Sequence, residues 1–267
     1  MSIALQVALV MVTILVVLLV IGAPIGVAIG MSSAVSMICM IPADVSFATS
    51  AQRIFAGSNS FSLIAIPFFI LAGNIMNNGG IATRLVNCAK VISGRMPGAL
   101  AQSNVVANML FGAISGSGAA AAAAMGGTIG PLEEKEGYDK NYSTAVNVAS
   151  APVGMLIPPS NTMIVYSSVA GSVSIAALFM AGYIPGLLWG GAVMILAGIM
   201  AKKRGYQAEQ RVPVKVALKT FWQAIPSLLL IVIVIGGILG GIFTATEGSA
   251  IAVVYATVLS LIYKAFK

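Results

Sequence analysis

Two short stretches of this chain gather the groups able to hold an ion or a polar ligand. Ser115-Gly116-Ser117-Gly118 opens the run "SGSGAAAAAAMGG", and Pro158-Pro159-Ser160-Asn161-Thr162 follows "NVASAPVGMLI". The first offers two hydroxyls on a backbone whose glycines permit positive φ and close approach. The second withholds backbone donors. Pro158 and Pro159 lack an N–H, so the carbonyls of Gly154 and Met155 lose their helical partners, and Pro152 does the same to Val148. In hydrocarbon an unpaired carbonyl costs several kcal/mol unless something satisfies it. The Ser150 and Ser160 hydroxyls, water or a bound cation could do so. The competing reading is a packing kink, because proline is tolerated in membrane helices.

The two interruptions together suit ion and anion binding. Exposed carbonyls ligate a cation, and the positive end of a half-helix faces an anionic substrate. Hard cations take oxygen ligands. Here these are the hydroxyls of Ser115, Ser117, Ser150 and Ser160, the amides of Asn147 and Asn161, Thr162, and the Gly154 carbonyl. One Na⁺ is expected between the two stretches. An anion facing the helix starts after Gly118 and Ser160 would meet Ser117, Ser150, Asn161 and Thr162. The chain has no histidine, and none of its seven carboxylates sits within a long apolar run. Intramembrane proton relays use Asp, Glu or His, so the sequence favours a metal cation over a proton. Enzymatic roles fit poorly: a serine nucleophile needs a base. Cys39 and Cys88 are isolated, with no CxxC, and read as small apolar side chains.

These stretches must be positioned by membrane-spanning elements. Of 267 residues 59% are hydrophobic and 8% charged, against about 25% charged in soluble domains. Apolar runs recur along nearly the whole length, so the expected fold is an all-α polytopic membrane protein. The net charge of +7 is no nucleic-acid footprint, because the basic residues sit between spans. Candidate spans are 3–22, 24–41, 61–77, two between 143 and 201, 221–243 and 248–263. The first lacks a positive n-region and a cleavage site, and so reads as a real span rather than a signal peptide. Segments 43–58 and 80–94 read as interfacial amphipathic helices.

The interval 96–132 carries no charge, and its 37 residues are too long for one tidy span and short for two. If it enters and returns on the same side, thirteen of the fourteen Lys and Arg lie in the cytoplasm, with Arg53 alone outside. The positive-inside rule therefore selects a re-entrant hairpin, with the N-terminus periplasmic. "ALAQSNVVANMLF" supports this, since Gln102, Ser103, Asn104 and Asn108 are too polar to face lipid. The alternative, one small-residue span, breaks the charge pattern. The resulting plan has scaffold spans and an arm helix in 1–78, an interfacial linker in 79–94 and a transport domain in 95–201. That domain holds the hairpin 96–132, a broken helix 143–168 and the following span. A basic cytoplasmic loop, 202–220, precedes scaffold spans in 221–267.

The opening pair of spans, joined by "GAPIG", is matched by the pair around "TATEG". By the charge pattern these links lie on opposite sides, as an inverted repeat requires. A second copy therefore starts near Phe221 and breaks off before its own hairpin. Gly22, Gly26 and Gly30, and again Gly236, Gly237, Gly240 and Gly241, are spaced for close helix packing.

The run "SGSGAAAAAAMGGTIGP", the segment "EEKEGYDKNYSTAVNVAS", the "IPPS" break with "MIVY" after it, "VAGSVSIAALFMAGYIPGLL" and "TATEGSAIAVVYA" resemble the large membrane subunit of tripartite ATP-independent periplasmic (TRAP) transporters. The likeness covers essentially all of the chain. It implies an elevator-type secondary transporter in a bacterial inner membrane, importing C4-dicarboxylates or sialic acid with Na⁺. Its partners would be a small membrane subunit and a periplasmic substrate-binding protein. The family's first half-site maps onto Ser115, Gly116, Ser117 and Gly118, Gly154, and Pro158 to Asn161, with Ser160 among them. The second hairpin and second broken helix of the family have no counterpart here, and the tip alternates Ser and Gly where the family is often Ser-rich. The rival is a Na⁺/carboxylate symporter of similar architecture that needs no binding protein.

Overall fold

A computed structural model describes residues 3–171, 173–208 and 213–263. Arg211 of the expected basic loop, and Lys264 and Lys267, lie outside them. The chain divides into two compact units, Met1–Ser60 and Phe61–Lys267.

The first unit holds α1 (Ile3–Val20), α2 (Ile25–Ile38) and α3 (Ala43–Ser58). α1 is apolar all round, with no residue buried within the chain, as a membrane span is. The expected span 24–41 is shorter than its apolar run. α2 stops at Ile38 and Pro42 caps α3, which leaves about 21 Å of helix, less than the ~30 Å hydrocarbon core. Ser46 Oγ donates to the Ala34 carbonyl at 2.8 Å and ties α3 to α2. The close packing expected at Gly22, Gly26 and Gly30 is absent from this unit. A Cβ on either of the first two would meet nothing within 4 Å, and one on Gly30 only the tip of Ile54. Gly22 lies in the link before α2, and at Gly30 only the end of the Ile54 side chain of α3 comes near.

The second unit begins with a 3₁₀ turn (Phe61–Ile64) leading into α4 (Ala65–Asn78), then α5 (Ile81–Ser93). There follow α6 (Ala99–Ser115), α7 (Gly118–Thr128), α8 (Gly130–Lys135), α9 (Lys140–Ser150), α10 (Val153–Leu156) and α11 (Asn161–Ala170). The 30-residue α12 (Ile175–Arg204), α13 (Val214–Leu239) and α14 (Ala245–Ile262) complete it. Five helical segments among the described residues are long and apolar enough to cross a membrane, and the bent α9–α11 series makes a sixth. The protein is thus all-helical and multi-pass, as the composition requires. α5 is amphipathic as expected: Ile81, Leu85, Val86 and Ala89 are buried, while Arg84, Asn87 and Lys90 are not.

α4 and α14 run parallel. Thr246 Oγ1 donates to the Phe61 carbonyl at one end, and Gly79 abuts Ser260 at the other. The glycine spacing at the end of α13 serves a turn rather than a helix pair. Gly237 lies under the Phe243 ring and Gly236 meets nothing. Close approach occurs instead on α12, where Gly182, Gly186 and Gly190 admit Leu156, Ile157 and Met109.

α12 is also the ruler for the hairpin. Near its C-terminus, Ala201 abuts Gly98 at the start of α6, and Arg204 pairs with Asp139 at 3.2 Å, after α8. Moving back along α12, Ala197 accepts from Tyr142 Oη at 2.8 Å and Met194 from Gln102 Nε2 at 2.9 Å. Met109 then reaches Gly190. The segment therefore enters and leaves at one end of α12, and turns about half-way along it. Its arms of 17 and 11 residues are about 26 and 16 Å long, each too short to span.

Candidate functional site

The tip of the hairpin meets the break in the α9–α11 series, which bends by 47°. α6 ends at Ser115 because Gly116 turns left-handed (φ 62°). Ser117 then caps α7 by accepting from the Ala120 N–H. The same device restarts the broken helix. Ser160 caps α11 by accepting from the Met163 N–H, and its hydroxyl donates to the Met155 carbonyl. One of the carbonyls released by the prolines is therefore satisfied by a side chain.

The two turns touch through backbone. Asn161 N–H donates to the Gly116 carbonyl at 3.1 Å, and a Cβ on Gly116 would come within 2.9 Å of the Pro159 carbonyl oxygen. One on Gly118 would come equally close to the Ala151 carbonyl oxygen. Below the tip, Gly112 and Gly154 pack backbone against backbone. Of the sequence candidates, Ser115, Gly116, Ser117, Gly118, Pro159, Ser160 and Asn161 thus share one junction, with Gly154 beneath it and Pro158 buried beside it. The buried Asn161 Oδ1 has no hydrogen-bond partner, the state expected of an acceptor left for a ligand. Ser115 is buried, and Thr162 is exposed on α11. Ser150 belongs elsewhere: its Oγ accepts from Asn108 Nδ2 at 2.8 Å and donates to the Asn147 carbonyl.

That second network joins Asn147 and Ser150, expected as ligand oxygens, to residues for which the sequence suggests no such role. Asn108 Nδ2 also lies 2.8 Å from Asn104 Oδ1 and 3.0 Å from Asn147 Oδ1. Asn147 Nδ2 is anchored on the Ala122 carbonyl of α7. At its outer end Glu133, only 1% exposed, shares with Asn104, Ser143 and Asn147 the wall of a cavity of about 350 Å³. Neither carboxylate oxygen has a hydrogen-bond partner, and nor do Asn104 Nδ2 and Ser143 Oγ. Burial pushes the Glu133 carboxyl up to about 7, while the neighbouring Ser143 hydroxyl and Asn104 amide pull the other way. The acidic run "EEKE" gives no sign of this, but the i, i+4 spacing of Asn104 and Asn108 on α6 does. Among the described residues no cluster of three His, Cys, Asp or Glu could hold a metal, so any cation here must rely largely on neutral oxygens.

A multi-pass helical protein that pairs a re-entrant turn with a proline-broken helix has the discontinuous elements recurrent in secondary transporters. The sequence comparisons give the particular family. Residues 12–267 match the DctM component of the tripartite ATP-independent periplasmic transporters, and the chain belongs to that family. It is 54% identical over 233 residues to the uncharacterized protein YgiK of Salmonella typhimurium, covering 87% of this chain and 54% of that one. It is 40% identical over 217 residues to the sialic acid TRAP transporter large permease protein SiaM of Vibrio cholerae, covering 80% and 50%. With the C4-dicarboxylate large permease protein DctM of Rhodobacter capsulatus it shares 38% over 230 residues, covering 81% and 52%. The chain thus spans about half the length of these relatives.

Proposed function

We propose that this chain serves Na⁺-coupled secondary import of an organic acid across a bacterial inner membrane. It does so within an assembly that includes a small membrane subunit, and it receives its substrate from a periplasmic binding protein. Relatives named for C4-dicarboxylate, sialic acid and 2,3-diketo-L-gulonate transport support the substrate class. The observation that carries the Na⁺ assignment is the junction of tip and break, where the partnerless Asn161 Oδ1 lies against Gly116, between Ser115 and Ser117 of the tip. A monovalent cation there takes Ser115 to Gly118, Gly154, Pro158 and Ser160 as its surroundings. The carboxylate faces the starts of α7 and α11, near Ser117, Asn161 and Thr162, with Ser150 reached through Ala151. Residues 95–201 form the moving transport domain of an elevator, and the flanking spans form its scaffold.

The test is uptake by vesicles holding the complete membrane component, with its binding protein, under an inward Na⁺ gradient. Uptake should need both, and Ser115→Ala with Ser117→Ala should raise the Na⁺ concentration for half-maximal rate several-fold. Transport that runs equally well on K⁺ would refute the coupling. Transport without any binding protein would identify the self-sufficient symporter instead.

A further inference from the structure

We propose that Glu133 is a proton-binding site, filled from the water of the cavity beside it, and that the hydrogen-bonded chain Asn104–Asn108–Asn147–Ser150 links its protonation to the broken helix. The argument begins with what surrounds the carboxyl. α8 carries Glu133 inward under α6 and α9, where it is 1% exposed and its two oxygens lack partners. A buried carboxylate in that state is costly, and binding a proton is the direct way to neutralise it.

A metal ion is the weaker fit. The unpartnered atoms nearest the carboxyl are the Asn104 Nδ2 and the Ser143 Oγ, and an amide nitrogen is a donor, not a ligand. The Asn104 oxygen is already engaged by Asn108. The other ionisable groups around Glu133 are few. Glu134 of its own helix and Lys140 of α9 line the same cavity with Tyr138, and Tyr142 of α9 senses the Glu133 charge. α6 and α7 present none.

The link inward follows from counting protons. Asn108 Nδ2 has two hydrogens and three acceptors in reach: Asn104 Oδ1, Asn147 Oδ1 and Ser150 Oγ. All three cannot be served at once, so the network has alternative states. An ionised Glu133 attracts the Asn104 Nδ2 and Ser143 hydroxyl hydrogens as charge-assisted donors. With a proton bound, the carboxyl becomes a donor, for which the Ser143 oxygen is the acceptor, and Asn104 is released. Whichever way Asn104 is held alters the share of Asn108 left for Ser150. Ser150 precedes Ala151, whose carbonyl lies against Gly118 at the tip.

The linkage rests on the reading of the tip and break as the transport site, whereas the proton site does not. Difference infrared spectra of the reconstituted protein should show a protonated-carboxyl band that titrates near neutral pH and is missing in Glu133→Gln. A band absent at pH 5, or constant through pH 9, overturns the site. Ser150→Ala, small enough to preserve the fold, should move the midpoint by about half a pH unit, a threefold change in proton affinity. An unmoved midpoint overturns the linkage. Na⁺, added as the probe ion, should displace the midpoint in the wild type. If Na⁺ binds calorimetrically yet the midpoint stays, the linkage fails and the Na⁺ site stands. If Na⁺ does not bind, the transport reading fails, and the band in Na⁺-free buffer still decides the proton site.

Discussion

Glu133 shows how far a single side chain can depart from its sequence context. In "EEKEGYDK" it is one acid among several charges and reads as part of a solvated loop. In the folded chain it is buried while Glu134 and Glu136 are exposed, because α8 is a short helix with one inward face. That placement makes stability depend on pH in a defined direction. The native carboxyl binds its proton up to about 7, against 4.5 when unperturbed. Between these values the native state holds more protons than the unfolded one, so stability falls as pH rises. In Na⁺-free detergent solution the melting temperature should drop between pH 5 and 7, by the equivalent of up to about 3 kcal/mol at 1.4 kcal/mol per pKa unit, and level off above. Glu133→Gln should flatten this segment of the profile, and a mutant curve parallel to the wild type would show that other groups govern it. The serines and prolines of the junction were easier to read, since their types alone change backbone chemistry. Glu133 needed the geometry.

Among the helices, the tip and break depend on how closely α6 and α10 approach. Asn104, Asn108 and Gly112 follow one another at four-residue intervals along one face of α6. Asn104 accepts from Asn108, Asn108 bonds to Asn147 and Ser150 of α9, and Gly112 admits Gly154 of α10, backbone to backbone. A methyl group there has nowhere to go without separating the helices. Gly112→Ala should therefore cost about 1–3 kcal/mol, as overpacking does, read as a lower melting temperature. Gly191→Ala on α12, where a Cβ meets nothing within 4 Å, should leave it unchanged. Equal effects would mean that glycine content, rather than this contact, matters. Here the sequence was only partly legible. Charge parity and short apolar arms announced the hairpin, and the prolines announced the break. Glycine spacing, however, pointed to Gly22, Gly26 and Gly30, which lack close neighbours in their own unit, and passed over Gly182, Gly186 and Gly190. A four-residue repeat marks a possible groove, and which groove is filled depends on partners distant in sequence.

For the molecule as a whole, the decisive matter is which surfaces share a side of the membrane. The fold places the start of α6 and the segment after α8 at the C-terminal end of α12, beside Lys202, Lys203 and Arg204. By the positive-inside rule that end is expected in the cytoplasm. A plain transmembrane reading of residues 96–132 would instead put Thr83 and Lys140 on opposite sides. Single cysteines at the exposed positions Thr83, Lys140 and Ala208, in a background carrying Cys39→Ser to remove the exposed native thiol, separate the two. In intact cells all three should resist a membrane-impermeant maleimide and react once the membrane is opened. Ile242, 78% exposed between α13 and α14, should label from outside as its cysteine variant. If Lys140 and Ala208 label from outside while Thr83 does not, the segment crosses the membrane. The tip could not then return to the face it started from, and Glu133 would draw its proton from the periplasm. Same-side labelling keeps the Glu133 cavity on the cytoplasmic face, so that a proton bound there is exchanged with the compartment into which the proposed import would release the substrate.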